Sequence, residues 1–197
     1  MPAASVPKPS LAIALLLLAF MAATRFHHFG SAMHLPDASL AIFFLAGWML
    51  RPARFFIVLF AAAVLIDYLA ITYAGVSDGC ISPAYGFLLP TYACSWFAGR
   101  WYAPRHERRW VTLAPLLTAL TVGTTSAFVL SNGSFYLLSG RFPDMGWLAY
   151  SARVAQYFPP YATSTFIYVL LVAGLHAAIT TIASSATQRA TNDGGRA

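Results

Sequence analysis

The sequence contains few charged residues. Only 9% of its 197 residues are Asp, Glu, Lys or Arg, against roughly 25% in an ordinary soluble domain. Lysine occurs once, at Lys8, whereas 59% of the residues are hydrophobic. This number of charged residues is too small to cover the surface of a water-soluble fold. The composition therefore excludes a water-soluble protein and predicts an integral membrane protein.

Two familiar catalytic signatures are missing, and cysteine is scarce. No G-x-x-x-x-G-K-[ST] sequence occurs, which excludes nucleotide hydrolysis by a P-loop mechanism, and no H-E-x-x-H zinc-binding helix occurs. The two cysteines are Cys80 and Cys94, and only Cys80 is expected outside the membrane. A quinone-linked disulfide oxidase, which needs paired external cysteines, is therefore also excluded.

The apolar residues occur in long runs, most of them near the roughly 20 residues that a helix needs to cross the hydrocarbon core. These runs predict an all-α membrane protein with a bundle of six transmembrane helices. We expect a single transmembrane domain that covers residues 1–197. The six runs are 11–23, 35–50, 55–74, 84–102, 111–130 and 162–185.

Two segments need separate interpretation. The run 11–23 is short, follows Lys8 and ends in Ala22 and Ala23, a pattern that also fits a secretory signal peptide; we expect a retained membrane helix. The segment 132–160 is polar and contains several Gly and Pro residues, so it is predicted to be a long external loop with short helical pieces.

Basic residues predict the orientation, because Lys and Arg are retained on the cytoplasmic side of a membrane. With both termini in the cytoplasm, nine basic residues lie inside and three outside. This topology, with anionic lipid at the inner face, accounts for the net charge of +6 without a nucleic-acid partner. The cluster 105–109 is expected to contact membrane lipid, with a docking surface for a cytoplasmic protein as the alternative. The three outer residues are Arg25, Arg141 and Arg153.

Most residues suited to chemistry fall in the three predicted external loops. The first loop carries imidazoles and a carboxylate, the second a carboxylate and a thiol, and the third charged and amide groups. We therefore expect a ligand site on the outer face. The residues are His27, His28, His34 and Asp37, then Asp78 and Cys80, then Arg141, Asp144, Arg153, Gln156 and Tyr157.

Cys80 is the most informative of these residues. It precedes Ser82 and Pro83, which are a suitable N-cap and first residue of a new helix. A helix N-terminus favours the thiolate and Asp78 opposes it, but a soft metal would displace the proton in either case. The alternatives are an unreactive free thiol, or a disulfide with Cys94, which is disfavoured because Cys94 is predicted at mid-membrane depth.

Asp67 lies inside the third apolar run, two turns below its outer end. A carboxylate at this depth costs roughly 2.5–3.5 kcal/mol on insertion scales, so such groups face a cavity or a partner. We expect Arg153 or a polar ligand to be that partner, and a purely structural hydrogen bond between helices is the alternative. Tyr85 can reach the same cavity, or it belongs to the interfacial aromatic belt.

The histidines give weaker signals. His176 is predicted to be structural and to lie in the cytoplasmic half of the last helix. The outer histidines do not form a recognised zinc spacing with Cys80. Among them His28, at a helix end, is the residue expected to line a ligand pocket.

The chain resembles the S-components, the substrate-binding subunits of energy-coupling-factor vitamin transporters, and more narrowly the BtuM family of vitamin B12 transporters. The resemblance covers the whole chain. It is carried by six short helices, by Ala19-x-x-x-Ala23 in the first, and by Cys80 in the segment 77–85, SDGCISPAY. His28, Asp67 and Arg153 surround the implied pocket. Only the loop cysteine is a specific marker, because small-x-x-x-small helices are common in membranes.

The resemblance implies cobalamin uptake across a bacterial inner membrane from the periplasmic side. Cys80 would be the axial ligand of the cobalt and could assist loss of the opposite axial ligand, such as cyanide. Arg153 would bind phosphate or amide oxygens, while Asp67 and Tyr85 would hold the edge of the corrin ring. A separate ATP-driven module would contact Ala19 and Ala23, if the protein uses one.

An enzyme is the alternative function. In that hypothesis Cys80 is the nucleophile of a membrane thiol catalyst that acts on a lipid or on a redox partner. Corrinoid binding distinguishes the two hypotheses, because a thiol enzyme would have a reactive Cys80 but no affinity for a corrinoid.

Overall fold

A computed structural model describes residues 8–25, 36–50, 52–75, 81–107 and 109–194 of the chain. Within these ranges the regular structure is helical and contains no strand, which confirms the all-α prediction. A 3-10 helix, Pro83–Phe87, precedes the fourth α-helix. The seven α-helices are α1 Lys8–Arg25, α2 Ser39–Met49, α3 Arg54–Tyr73, α4 Leu88–Tyr102, α5 Leu113–Leu138, α6 Trp147–Ala155 and α7 Phe158–Gly194.

Three helical segments of the described chain are long and apolar enough to cross a membrane: Arg54–Tyr73, Trp110–Leu138 and Phe158–Ile182. The other apolar helices are shorter. At 1.5 Å per residue, the 15 residues of α4 extend about 22 Å, less than the roughly 30 Å of a hydrocarbon core. Length and composition therefore identify three of the six expected spans.

The shortest apolar helix, α2, lies at the centre of the molecule. Its 11 residues are almost all buried, and they extend only about 16 Å. Because its sequence is apolar on every side, neighbouring helices can surround it completely. It is thus a core helix around which the longer helices pack, and it is shorter than a hydrocarbon core is thick.

Two glycines allow α2 and α4 to cross at very short distance. A Cβ atom on Gly47 would lie 2.1 Å from the backbone oxygen of Trp96, and one on Gly99 would lie 2.0 Å from the backbone oxygen of Phe44. The crossing also contains a polar contact, because the Ser95 hydroxyl donates to the backbone oxygen of Leu40 at 2.9 Å. The two backbones can approach this closely only because both positions lack a side chain.

The predicted loop 132–160 is wrong over its first part. Helix α5 continues to Leu138, and its polar side chains there bond back to its own backbone. Asn132 donates to the oxygen of Phe128, and Ser134 to that of Ser131, both at 3.0 Å. The expected short helical pieces are present as α6.

Candidate functional site

A polar cluster lies at the end of the bundle where α1 and α3 end and α2 begins. Helix α1, helix α3, the start of α2 and the start of α4 all lie at this end, so residues distant in sequence meet there. We call this group the Arg25 cluster. It contains Arg25, Asp37, Ser39, Asp67, Tyr85 and Tyr92.

Arg25 and Asp67 form a bidentate ion pair. The Nε atom of Arg25 donates to Oδ1 of Asp67 at 2.7 Å, and Nη2 donates to Oδ2 at 2.6 Å. The two side chains are only 8% and 15% exposed. Paired guanidinium–carboxylate bonds of this kind are strong and fix the relative orientation of both groups. The pair thereby joins the ends of α1 and α3.

The remaining terminal nitrogen of Arg25 faces α2 and α4. Nη1 donates to the Ser39 hydroxyl at 3.0 Å and to the Tyr92 hydroxyl, and it lies 3.5 Å from a carboxylate oxygen of Asp37. Asp37 in turn accepts from the Ser39 hydroxyl at 2.6 Å and from the Ser39 backbone N–H at 2.9 Å. One guanidinium therefore connects four segments of the chain.

Aromatic residues complete the cluster. The Tyr85 hydroxyl donates to Oδ2 of Asp67 at 2.8 Å, so both oxygens of that carboxylate are bonded. Tyr92 stacks on Phe43 with ring centroids 4.4 Å apart. The Arg25 guanidinium lies 5.6 Å from the centroid of the Tyr92 ring, within the range of a cation–π interaction.

The structure brings together two of the predicted site residues, Asp67 and Tyr85. The third, Arg153, is an exposed residue of α6 and forms no ion pair with Asp67. The expected pairing of Asp67 with Arg153 is wrong, since Arg25 occupies both carboxylate oxygens.

On α6, burial raises the pKa of the Tyr150 hydroxyl, and the charge of Arg153 acts in the opposite direction.

Cys80 and His28 lie outside the described residues, as do His27, His34 and Asp78. Cys94 is a free, half-buried cysteine of α4. Across the ranges that the structure describes, no group of three or more His, Cys, Asp or Glu residues could hold a metal ion. The role of Cys80 as cobalt ligand stays a prediction.

The helix that follows Cys80 begins at the predicted residues, but its type and its capping differ from the prediction. Ser82 is the N-cap residue and Pro83 the first helical residue, but the helix is a 3-10 helix and the Ser82 side chain makes no cap hydrogen bond. The Ser82 hydroxyl oxygen is buried without a hydrogen-bond partner. The turn is formed by the backbone, where the Tyr85 N–H donates to the oxygen of Ser82 at 2.8 Å.

The segment 75–79, GVSDG, matches the G-x-S-x-G pattern of the hydrolase nucleophile elbow. That motif requires a strand before the serine and a helix after it. Here the segment follows helix α3, and no strand occurs in the described chain. The match therefore gives no support to a serine hydrolase.

Sequence reasoning missed Arg25 as a site residue, although two signals pointed to it. Arg25 is one of three basic residues on the side where the charge rule leaves few, and it ends an apolar helix. Asp67 needed a cationic partner at membrane depth. Ser39 and Tyr92 gave no comparable signal, because neither residue type is unusual in a membrane helix.

The opposite end of the bundle carries an aromatic and imidazole group. The His176 ring lies 5.8 Å from Trp48 and 5.6 Å from His106, measured between centroids. The Tyr102 hydroxyl bonds His106 Nδ1 at 2.8 Å and Thr112 Oγ1 at 2.9 Å. His176 thus packs among other rings, away from the Arg25 cluster, as predicted for a structural histidine.

Comparison with known proteins assigns no family, since no protein-family model and no curated protein matches this chain.

Proposed function

We propose that this protein takes up cobalamin across the bacterial inner membrane. In this proposal it is a six-helix, S-component-like member of the BtuM family. The corrinoid binds in a periplasm-facing pocket at the end of the bundle that carries the Arg25 cluster, with Cys80 as axial ligand of the cobalt. Both termini lie in the cytoplasm.

The contact between Tyr85 and Asp67 is the observation that carries the proposal. The sequence predicts both residues in the pocket, and their hydroxyl and carboxylate oxygens are 2.8 Å apart. The connection that contains Cys80 leads from α3, which carries Asp67, to the 3-10 helix, which carries Tyr85. A ligand beside Tyr85 would therefore be within a few residues of the thiol along the chain.

The chemistry of cobalamin suits the groups available at this end. A thiolate from Cys80 is a soft donor for cobalt. The half-buried Tyr85 can accept hydrogen bonds from the amides at the edge of the corrin ring. Both oxygens of Asp67 are already bonded, so this carboxylate positions the Tyr85 hydroxyl. Arg153 is exposed on α6 and can bind the phosphate of the nucleotide tail.

Helix α1 has a surface on which a separate ATP-driven module could pack. Ala19 and Ala23 lie four residues apart on α1, and both are exposed. They offer the small-residue surface on which a separate ATP-driven module would pack, as expected for an S-component.

Visible spectroscopy of the purified protein with cobalamin tests the assignment of Cys80. We expect the bound spectrum to differ from that of the free vitamin, and the difference to vanish in Cys80→Ala and Cys80→Ser, because a neutral hydroxyl is a poor soft-metal ligand. Cys94→Ala is the matched control and should keep the shifted spectrum.

Each other outcome has a definite meaning. An unchanged spectrum in the Cys80 variants would show that another group binds cobalt, with His28 the first to examine. No corrinoid binding at all would refute the proposal, and a reactive Cys80 in such a protein would favour the thiol enzyme.

A bound thiolate should also labilise the opposite ligand. It donates an electron pair to cobalt and weakens the bond on the other face, where cyanide can leave with its own electron pair and no change in oxidation state. Free cyanide should then be released from cyanocobalamin faster with the Cys94→Ala protein than with Cys80→Ala.

A further inference from the structure

An apolar groove runs between α4 and α5, away from the Arg25 cluster. Its volume is about 560 Å³. Small side chains form much of its lining, and Gly123 lets the helices approach so closely that a Cβ atom there would lie 2.7 Å from the Cβ of Ala98. The lining includes Ala93, Cys94, Ala98, Ala119, Gly123 and Ser126.

The groove is long enough for an extended acyl chain. Along α4 the lining extends from Pro90 to Trp101, a rise of about 16 Å. The Thr118 hydroxyl in the lining donates to the oxygen of Ala114 at 2.9 Å and is already satisfied. The groove thus suits an extended hydrocarbon chain.

One end of the groove is aromatic and positively charged. Trp101 lines this end, and the Arg105 guanidinium lies 3.8 Å from the centroid of its ring. Arg105 donates one N–H to the Trp101 backbone oxygen, while a guanidinium carries five N–H donors. Arg100 and Arg109 are exposed at the same end, which the distribution of basic residues predicts to be cytoplasmic.

We propose that this groove binds an anionic phospholipid of the cytoplasmic leaflet. One acyl chain occupies the α4–α5 groove, and the headgroup phosphate accepts hydrogen bonds from Arg105. Basic pockets between membrane helices on the cytoplasmic side bind anionic headgroups in this way. The arginine at one end of an otherwise apolar groove favours a phospholipid, which has an anionic headgroup and an apolar chain, over an apolar helix of a partner protein. The site is independent of the proposed cobalamin pocket.

Native mass spectrometry of the full chain tests the headgroup contact. Phosphatidylglycerol and phosphatidylcholine with identical acyl chains are the probes. We expect one phosphatidylglycerol to be retained roughly five-fold over phosphatidylcholine, the factor expected for one basic residue at an anionic surface, and Arg105→Gln to abolish that preference. Arg141→Gln, which removes an exposed arginine of the other end, should leave it unchanged.

Filling the groove tests the acyl-chain site. Cys94→Phe should lower retention of both lipids, whereas Val58→Phe, which places the same ring on the exposed face of α3, should not. Ser126→Leu, introduced from α5, serves if Cys94→Phe does not fold. Equal retention of the two lipids by the wild type, or wild-type lipid retention in the filled variants, would overturn the proposal. Loss of a bound membrane protein from the filled variants, with lipid retained, would assign the groove to a partner helix.

Discussion

At the scale of single residues, the buried guanidinium of Arg25 is shared between two carboxylates. Asp67 takes two of its N–H groups, and Asp37 lies 3.5 Å from a third nitrogen. A buried ion pair adds little net stability compared with apolar residues of the same size, but loss of one partner leaves a costly isolated charge. The cluster therefore specifies how the helix ends meet more than it stabilises the fold.

Replacement of Arg25 should be strongly destabilising. Arg25→Met removes the cation and leaves Asp37 and Asp67 together, and we expect a loss of about 3–5 kcal/mol in the free energy of unfolding. Asp67→Asn should cost less, because Asp37 still faces the guanidinium. The double variant Arg25→Met/Asp67→Leu should recover part of the loss in a double-mutant cycle of detergent-based unfolding. Wild-type stability of Arg25→Met would contradict this account, and Arg141→Met is the exposed control.

Arg153 and Tyr85 should influence ligand binding with little effect on the fold. Arg153 is exposed, so Arg153→Ala should lower corrinoid affinity and leave the unfolding transition unchanged. Tyr85→Phe removes one hydrogen bond to Asp67, worth about 1 kcal/mol, and should also weaken binding. Titration calorimetry measures both effects. Arg109→Ala, at an exposed position of the other end, and Tyr68→Phe, on the exposed face of α3, should bind normally; equal losses in these controls would remove both residues from the site.

At the scale of helices, the crossing of α2 and α4 sets the geometry of the core. Helix α2 begins at the Arg25 cluster with Ser39 and passes α4 where Gly47 and Gly99 remove the side chains between the backbones. Tyr92 lies on the same helix as Gly99. A change at the crossing should thus be transmitted along α4 to the site.

A methyl group at the crossing should separate the two helices. The Cβ of Gly99→Ala would lie 2.0 Å from a backbone oxygen of α2, so we expect destabilisation at or above the upper end of the usual 1–3 kcal/mol for overpacking. Gly174→Ala is the matched control, because open space surrounds that position in α7 and alanine favours a helix by about 1 kcal/mol. Thermal unfolding of both variants measures the difference. A tolerated Gly99→Ala would show that the crossing is looser than described.

At the scale of the whole molecule, the two ends of the bundle differ in charge and chemistry. One end carries the Arg25 cluster, in which carboxylates outnumber the guanidinium. The other carries the exposed arginines near α4 together with the packed rings of Trp48, His106 and His176. An asymmetric membrane potential and leaflet composition would favour one orientation of such a molecule.

The orientation can be measured by labelling of single cysteines. In a background without Cys80 and Cys94, Leu148→Cys should react with an impermeant maleimide added from outside, since Leu148 is 83% exposed. Pro52→Cys and Glu107→Cys, both at exposed positions, should react only after the membrane is opened. Reaction of Pro52→Cys from outside would reverse the proposed topology.

Composition and periodicity alone predicted the helical class, the three long apolar segments and the placement of Asp67 near a polar end. These properties depend on local hydrophobicity and on chain length, which are readable residue by residue. The same signals did not show that α2 is buried, because an apolar run does not reveal whether its surroundings are lipid or other helices. They also ended α5 too early, since the polar residues and the glycine at 132–134 indicate a loop although they lie within the helix.

The tertiary structure decided which groups meet. Arg25 and Asp67 come from α1 and α3, and Asp37 from the segment before α2, so their pairing follows from how these three parts of the chain pack at one end of the bundle. The sequence alone favoured Arg153 as the partner of Asp67, because both residues are predicted on the outer side. Opposite charge does not show which of the outer arginines lies close to the carboxylate. A bidentate contact of 2.6–2.7 Å depends on backbone positions set by close packing, and only the folded chain determines those positions.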